Sequence, residues 1–379
     1  MDFTLNSEQQ LLQDSVRRYV DKAYDFETRA SYIQASRAGR DTVADNWKVF
    51  AENGWLMAAL PEVHGGLGGS LTDTALIAQE LGRGLVLEPY IGCAVLAAQT
   101  LVAGGTAEQK ASLVPQLAEG SRRIALAYSE PDSRGMPEVV ATRADKDADG
   151  YVIHGRKSLV LGAVGADAFI VSAQVTGEAD IALLLVDAGS AGLARQPMPL
   201  HDATWVEDLT FDGVRVPAGN RLEGGLSALR TGLAHGTVAL CAGLVGAMEK
   251  AITLTAEYLK TRQQFGVPIG TFQALQHRMA DMAAEMELAR SMLHALLASV
   301  ENDSEAARQR TLSATKSLVC RAAKYVCGQG VQLHGGIGMT EEYAVGHYFK
   351  HAIVADLLLG SSDRHDAACA AALQAELGH

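Results

Sequence analysis

The sequence predicts a mostly α-helical protein with a β domain in its middle. Up to about residue 122, apolar residues recur at helical spacing. After Arg123 the texture changes to short runs rich in Val, Ile and Leu, split by turn residues. From about Gly224 helical periodicity returns and persists to the end. These shifts divide the chain into an N-terminal helical domain (1–122), a middle β domain (123–222) and a C-terminal helical domain (223–379). The 379 residues suffice for a large core in two or three domains. With 48% apolar residues, the chain is not a disordered one.

Charge and cysteine content narrow the function. A net charge of −12 argues against nucleic-acid binding, which leans on basic patches. It leaves room for an anionic ligand held by local arginines or helix N-termini. The five cysteines (Cys93, Cys241, Cys320, Cys327, Cys369) form no CxxC pair, so buried reduced thiols in a reducing compartment are expected. The start, MDFTLNSEQQ, is acidic and polar without leader character, and no apolar run is expected to reach the roughly 20 residues that span a bilayer. The expected setting is the cytoplasm.

In order, Ser7 and Gln10 fit a capping box, with Leu12, Val16 and Tyr19 on one face of the helix that follows. Trp47, Phe50 and Trp55 predict a second helix ending near Gly54. Leu60–Ser70 is a glycine-rich loop, a conceivable phosphate cradle, although a run of glycines alone does not make one. Helices are predicted through Asp73–Leu81, Tyr90–Val102 and Lys110–Leu117. The runs GYVIHGRK, DAFIVSAQV, IALLLVDAG and DLTFDGVRVPAGN then predict strands of a small barrel or sandwich, with Asp212–Gly213 as a turn between two short pairs.

The most informative stretch is Tyr258–Met282, YLKTRQQFGVPIGTFQALQHRMADM. Before it, Cys241, Val245, Met248, Ile252, Thr255 and Leu259 recur at steps of four and three; after it, Leu275, Met279, Met282, Met286, Ala289, Leu293, Leu296 and Val300 do so. Gly266, Pro268 and Gly270 stop the first helix, and Arg262 falls in its last turn, where a cation complements the dipole. A capped helix–turn–helix with a polar face accounts for this stretch taken alone. Near the end, QLHGGIGMTEEY carries a second glycine loop at Gly335, Gly336 and Gly338.

The order of motifs says more. SEP at Ser129–Pro131, GYVIHGRK, Ala166–Asp167, FDGVRVP, YLKTRQQFGVPIGTFQ, ADM and QLHGGIGMTEEY follow one another along the chain. This ordered set resembles the acyl-CoA dehydrogenase family over essentially the whole length. LEPY at Leu87–Tyr90 and LGSSDRH near the end are most similar to the small-subunit type of pimeloyl-CoA dehydrogenase. The resemblance implies an N-terminal helical domain, a β-barrel and a C-terminal four-helix bundle, with FAD between barrel and bundle and its diphosphate reaching a neighbouring subunit. The implied reaction is α,β-dehydrogenation of an acyl-CoA thioester: a carboxylate takes the α-proton while the β-hydride passes to the flavin, and an electron-transfer flavoprotein collects the electrons.

Residue by residue, the resemblance implies that Arg262 meets the diphosphate of the neighbour's FAD, that Phe265 and Gln273 flank its adenosine and ribityl chain, and that Gln332, Gly335 and Gly336 complete that site. Ser129 stands where a hydroxyl faces the flavin edge, and Ser361 follows the base position. The half that holds the ring within the same subunit departs from the pattern. The family's tryptophan falls on Leu159 and its hydroxyl on Leu161, which read here as an ordinary strand facing a core. The base falls on Leu359, before Gly360–Ser361. A second subgroup's base position falls near Gly236, beside His235. Asp356, Asp363 and His365 lie near Leu359 in sequence, where a solvated helix end is the usual reading, and His235 and Asp363 are carried forward as candidates for a displaced base. The expectation is therefore a subunit that lends Arg262, Gln332 and Gly336 to FAD held by a paralogous chain in a tetramer. A homotetrameric enzyme with a displaced base, a flavin monooxygenase of the same fold and a flavin-free scaffold subunit remain open. No residue sets the acyl substrate.

Overall fold

The computed structural model describes residues 4–40 and 42–377; the first residues of the polar N-terminus lie outside these. In chain order come α1 (Ser7–Ala23), α2 (Phe26–Arg37), α3 (Val43–Glu52) and α4 (Leu71–Arg83). A π-helical segment, Tyr90–Ala97, runs directly into α5 (Ala98–Gly104), and α6 (Ala107–Ala118) follows. Next are β1 (Ile124–Ala127), β2 (Arg143–Lys146), β3 (Gly150–Leu161), β4 (Ala168–Val175), β5 (Ile181–Asp187), β6 (Leu193–Pro199), β7 (Trp205–Pro217) and β8 (Arg221–Leu222). The rest is α7 (Gly225–Thr261), the short strands β9 (Gln263–Gln264) and β10 (Val267–Pro268), α8 (Gln273–Asn302), α9 (Glu305–His334), α10 (Val345–Leu357) and α11 (Ser362–Leu377). The residues gather into two compact units: Met1–Ala38 with Ala75–Val86 and Thr237–His379, and Gly39–Thr74 with Leu87–Gly236.

In the first unit, α1 starts one residue earlier than the Ser7–Gln10 box predicts. Asn6 is the cap: its side chain accepts the Gln9 N–H at 2.9 Å, and Gln9 reaches back to the Asn6 N–H at 3.2 Å. Helix α2 was not expected, because its twelve residues show no apolar stripe; the Asp25 carboxylate starts it by accepting the Thr28 N–H at 2.7 Å. Of the predicted stripe on α7, Cys241, Val245, Met248, Thr255 and Leu259 are buried; on α8, Met282, Met286, Ala289, Leu293 and Leu296 are. Helices α8, α10 and α11 pack against α9. By length and composition α7 could cross a bilayer, contrary to the expectation that no run is long enough. In this fold 72% of its apolar window is buried.

The second unit is built on a mixed eight-stranded sheet, ordered β6-β7-β3-β2-β4-β5-β8, with β1 added in parallel to β4. The ladder has two ends, β6 and β8, so hydrogen bonding does not close it into a ring. Its core includes Ile153, Phe169, Leu184, Phe211 and Val214. Asp212–Gly213 is not a turn. Both residues lie inside β7, where Gly213 is the extra residue of a bulge opposite Ile153 and His154. In the glycine-rich loop a Cβ on Gly66 would sit 2.0 Å from the Leu60 carbonyl oxygen, so this glycine serves the chain's own close packing, whereas Gly65 beside it faces open space. The segment Tyr90–Gly104 is a core helix, with Tyr90, Cys93, Leu96 and Leu101 buried.

One buried ion pair ties this unit together. Lys157 is fully buried on β3; its ammonium donates to Glu130 at 2.7 Å, to the Ser172 hydroxyl at 2.9 Å and to the Tyr128 carbonyl at 3.3 Å. Glu130 in turn accepts the Ala141 and Thr142 N–H groups, fastening the loop between β1 and β2. Burial pulls the Lys157 ammonium down to about 8, still charged at neutral pH. Burial pushes Glu130 up, but Lys157 and the two N–H groups outweigh it and hold the carboxyl below its usual value. Replacing Lys157 by Met strands Glu130 as an uncompensated buried charge and is expected to cost about 3 kcal/mol of stability in urea unfolding; an unshifted midpoint would show that the pair holds nothing together.

Candidate functional site

A stack of three rings brings the two sequence motifs to one end of the first unit. Tyr258 lies in the last turns of α7, His334 is the last residue of α9, and Tyr343 precedes α10. The Tyr258 and His334 rings stack with centroids 4.4 Å apart, and Tyr343 leans on His334 at 4.9 Å. His334 is 4% exposed, and its Nδ1 lies 2.7 Å from the Gly330 carbonyl, which can only accept, so Nδ1 carries the proton. Burial lowers its pKa, leaving the ring neutral at pH 7. One turn beyond Tyr258 stands Arg262; immediately beyond His334 stand Gly335 and Gly336.

Each of these residues faces outward. Arg262 is exposed and lies just past the end of α7 rather than in its last turn. It leads into a two-residue hairpin, β9–β10, whose tip is Phe265 and Gly266, both with positive φ (52° and 81°). Phe265 is 91% exposed and touches Phe272 edge-on, with centroids 6.2 Å apart. Gln273 opens α8 and is exposed, as are Gln332, Gly335 and Gly336. The run Gly335–Met339 is a 3₁₀ turn rather than a loop. Gly335 has φ 65° and ψ −139°, a conformation essentially reserved to glycine. A Cβ on Gly336 would meet nothing within 4 Å. Unlike Gly66, Gly336 satisfies no internal packing need, and its open backbone suits the close approach of a diphosphate. This half fits the FAD that the motifs imply.

The other half does not. Ser129 is half-buried at the end of β1, and its carbonyl accepts the Ser158 N–H at 2.9 Å. Leu159 is not an ordinary core-facing strand residue, as expected from sequence. It sits in a register shift between β3 and β7 with φ 54°, is 40% exposed, and its N–H donates to the Asp208 carboxylate at 3.0 Å. Leu161 is half-buried and offers no hydroxyl.

Leu359, where the resemblance puts the base, is 8% exposed with φ 58°. The turn that carries it is held from three sides. His365 lies 3.0 Å from the Leu359 carbonyl through Nε2, and its Nδ1 is 3.1 Å from the Ser313 hydroxyl. Lys316, fully buried, donates to the Ala355 and Asp356 carbonyls at 2.9 and 3.3 Å. The Asp356 carboxylate is occupied by Lys324 at 2.8 Å and by the Ser362 N–H at 3.1 Å. Ser361 is half-buried and accepts the Arg364 N–H at 3.4 Å, so its hydroxyl is engaged in starting α11. Asp363 is exposed in the first turn of α11, and His235 is half-buried on α7. Sequence reasoning missed the Tyr258–His334–Tyr343 stack and the Lys316–His365 clamp. The signal for the first was a histidine directly before the glycines, at the close of an amphipathic helix.

The acyl-CoA dehydrogenase N-terminal, middle and C-terminal domain families match residues 6–121, 125–214 and 223–374. The probable acyl-CoA dehydrogenase YngJ of Bacillus subtilis is 30% identical over 377 residues, covering 96% of this chain and 97% of that protein. The chain belongs to the acyl-CoA dehydrogenase family, whose members are oxidoreductases acting on acyl-CoA. Among solved structures, the ChsE4-ChsE5 complex from Mycobacterium tuberculosis matches with a TM-score of 0.90 at 27% identity, over 98% of this chain and 99% of that one. The Tcur3481-Tcur3483 steroid ACAD matches at 0.88 and 28%, over 99% and 100%.

Two measurements follow from this site. Gly336→Ala is expected to leave the melting temperature within about 2 °C of the parent, whereas Gly335→Ala, forced into a glycine-only conformation, is expected to cost on the order of 1–3 kcal/mol; equal effects would refute the open-space reading. Burial lowers the His365 pKa from 6.5 to about 4. A depressed histidine pKa gives stability that is fully present above about 6.5 and lost as pH falls toward 4, about 2 kcal/mol between pH 7 and 5. Thermal melts of the parent and of His365→Gln across that range are expected to differ in slope; parallel curves would remove His365 as the source.

Proposed function

We propose that this chain is the subunit without a catalytic carboxylate in a heteromeric, FAD-dependent acyl-CoA dehydrogenase. The observation that carries this reading is Leu359. The turn at the base position is held by His365, Lys316 and Asp356, yet the side chain on it cannot take a proton. The open, outward face of Arg262, Gln332, Gly335 and Gly336 supports a role toward a cofactor held by another chain. The paired names of two similar structures, ChsE4-ChsE5 and Tcur3481-Tcur3483, support a paralogous partner, as does the resemblance to a pimeloyl-CoA dehydrogenase small subunit. Bound FAD supplies the acceptor for the substrate's β-hydride. In this reading Arg262 would hold the diphosphate, Phe265 and Gln273 would flank the adenosine and ribityl chain, and Gln332 with the backbone at Gly335–Gly336 would complete the site. The partner provides the carboxylate that removes the α-proton of the acyl-CoA, and an electron-transfer flavoprotein takes the electrons. The tetramer belongs in the cytoplasm, a setting that five free thiols fit.

The test is the visible spectrum and turnover of the chain purified alone and co-expressed with its paralogue. The expectation is a colourless, inactive chain alone and a yellow complex active toward an acyl-CoA. About one flavin per chain with turnover in the chain alone would replace this reading by a homotetramer with a displaced base such as Asp363 or His235, or by a monooxygenase. In the complex, Arg262→Ala is expected to weaken FAD binding about tenfold or more; unchanged affinity would take Arg262 out of the site.

A further inference from the structure

We infer that the first unit holds a separate small-molecule site, suited to a small carboxylate with an aromatic body. A cavity of about 220 Å³ opens among α1, the start of α2, the end of α4, α7 and α10. It shares no residue with the flavin-facing set. Taking roughly 30 Å³ per water, the space corresponds to about seven waters, or one ring with a carboxylate. Its apolar walls are Val20, Leu85 and Leu254, and the rings of Tyr24, Phe26 and Tyr348 complete them.

The polar groups around it set the ligand's charge. Two carboxylates reach the rim, and both are engaged. Asp21 pairs with Arg83, which also holds Glu80 at 3.1 Å. Asp25 caps α2, where its charge complements the positive end of the helix dipole. The Tyr348 hydroxyl donates to the Arg83 carbonyl at 2.7 Å, and the buried Arg29 guanidinium donates to the Leu85 carbonyl at 2.8 Å. These bonds fix the floor. Lys250 differs: its side chain lines the cavity, is half-buried, and has no hydrogen-bond or ion-pair partner among the described residues. An anion placed in the cavity would give this cation the counter-charge that the protein does not supply. Aromatic walls, a fixed polar floor and one unanswered cation together select an aryl carboxylate over a neutral or cationic guest.

The probe is benzoate, with benzamide as its neutral counterpart, titrated into the full-length chain together with its partner subunit and followed by saturation-transfer NMR and calorimetry. Benzoate is expected to bind in the millimolar range and benzamide more weakly. Lys250→Met is expected to weaken benzoate about tenfold, and Leu254→Trp, which fills the cavity, to abolish binding. The two variants lie outside the flavin-facing set, so flavin content should not change. Equal binding of benzoate and benzamide, benzoate binding indifferent to Lys250→Met, or no binding to the parent protein would each overturn the proposal. Because Lys250→Met alone decides the charge question, the outcome stands even if Leu254→Trp fails to fold.

Discussion

The stack of His334 between Tyr258 and Tyr343 is the contact on which the outward face depends. Aromatic pairs of this kind contribute roughly 0.5–1.5 kcal/mol beyond burial, a modest sum, but the geometry matters more than the energy. Tyr258 closes α7 and His334 closes α9, so one ring contact pins together two helix ends that are 76 positions apart in sequence (334 − 258). Arg262 and the Gly335–Gly336 backbone are each a few residues from that pin. A neutral His334, with its Nδ1 proton committed to Gly330, keeps the pin free of charge beside the exposed Gly335–Gly336 backbone.

The two halves of the family pattern have diverged in different ways. On the outward half the backbone and side chains fit their cofactor, including a hairpin tip in the left-handed region. On the inward half the side chains at Leu159, Leu161 and Leu359 depart from the pattern that the motifs imply. Leu159 and Leu359 both hold left-handed φ values that ordinary leucines avoid. At Leu359 the surrounding clamp over-determines the turn: a buried lysine and a histidine hold its carbonyls, and Asp356 holds the next helix start. Such a turn is held by these contacts rather than by the Leu359 side chain.

Much of this was legible in sequence. The helix–β–helix order followed from a change of period, and the stripes on α7 and α8 marked which residues are buried. The failures share a physical cause. The Asp212–Gly213 pair has the composition of a turn, but register with β3 absorbed it as a bulge. Helix α2 lacks an apolar stripe and is set by its Asp25 cap. Glycines that look alike as strings differ in the space around them: Gly66 and Gly338 are pressed on carbonyls, while Gly65 and Gly336 face nothing within 4 Å. The clamp around Leu359 joins residues from α9, α10 and α11, and no local pattern announces it.

Helix α7 has one more consequence, which concerns synthesis rather than the finished fold. Its 37 residues include the apolar stretch long enough to suit a lipid bilayer. Along that stretch Gly243 and Gly246 lie against Gly82 and Gln79 of α4, so closely that a Cβ on Gly246 would sit 1.9 Å from the Gln79 carbonyl oxygen. Because α4 precedes α7 by more than a hundred residues, it has left the ribosome well before the apolar helix appears. The nascent chain thus exposes this segment only after the α4 surface it packs on, Gly82 and Gln79 among it, has been made, whereas α8 and α9 emerge later.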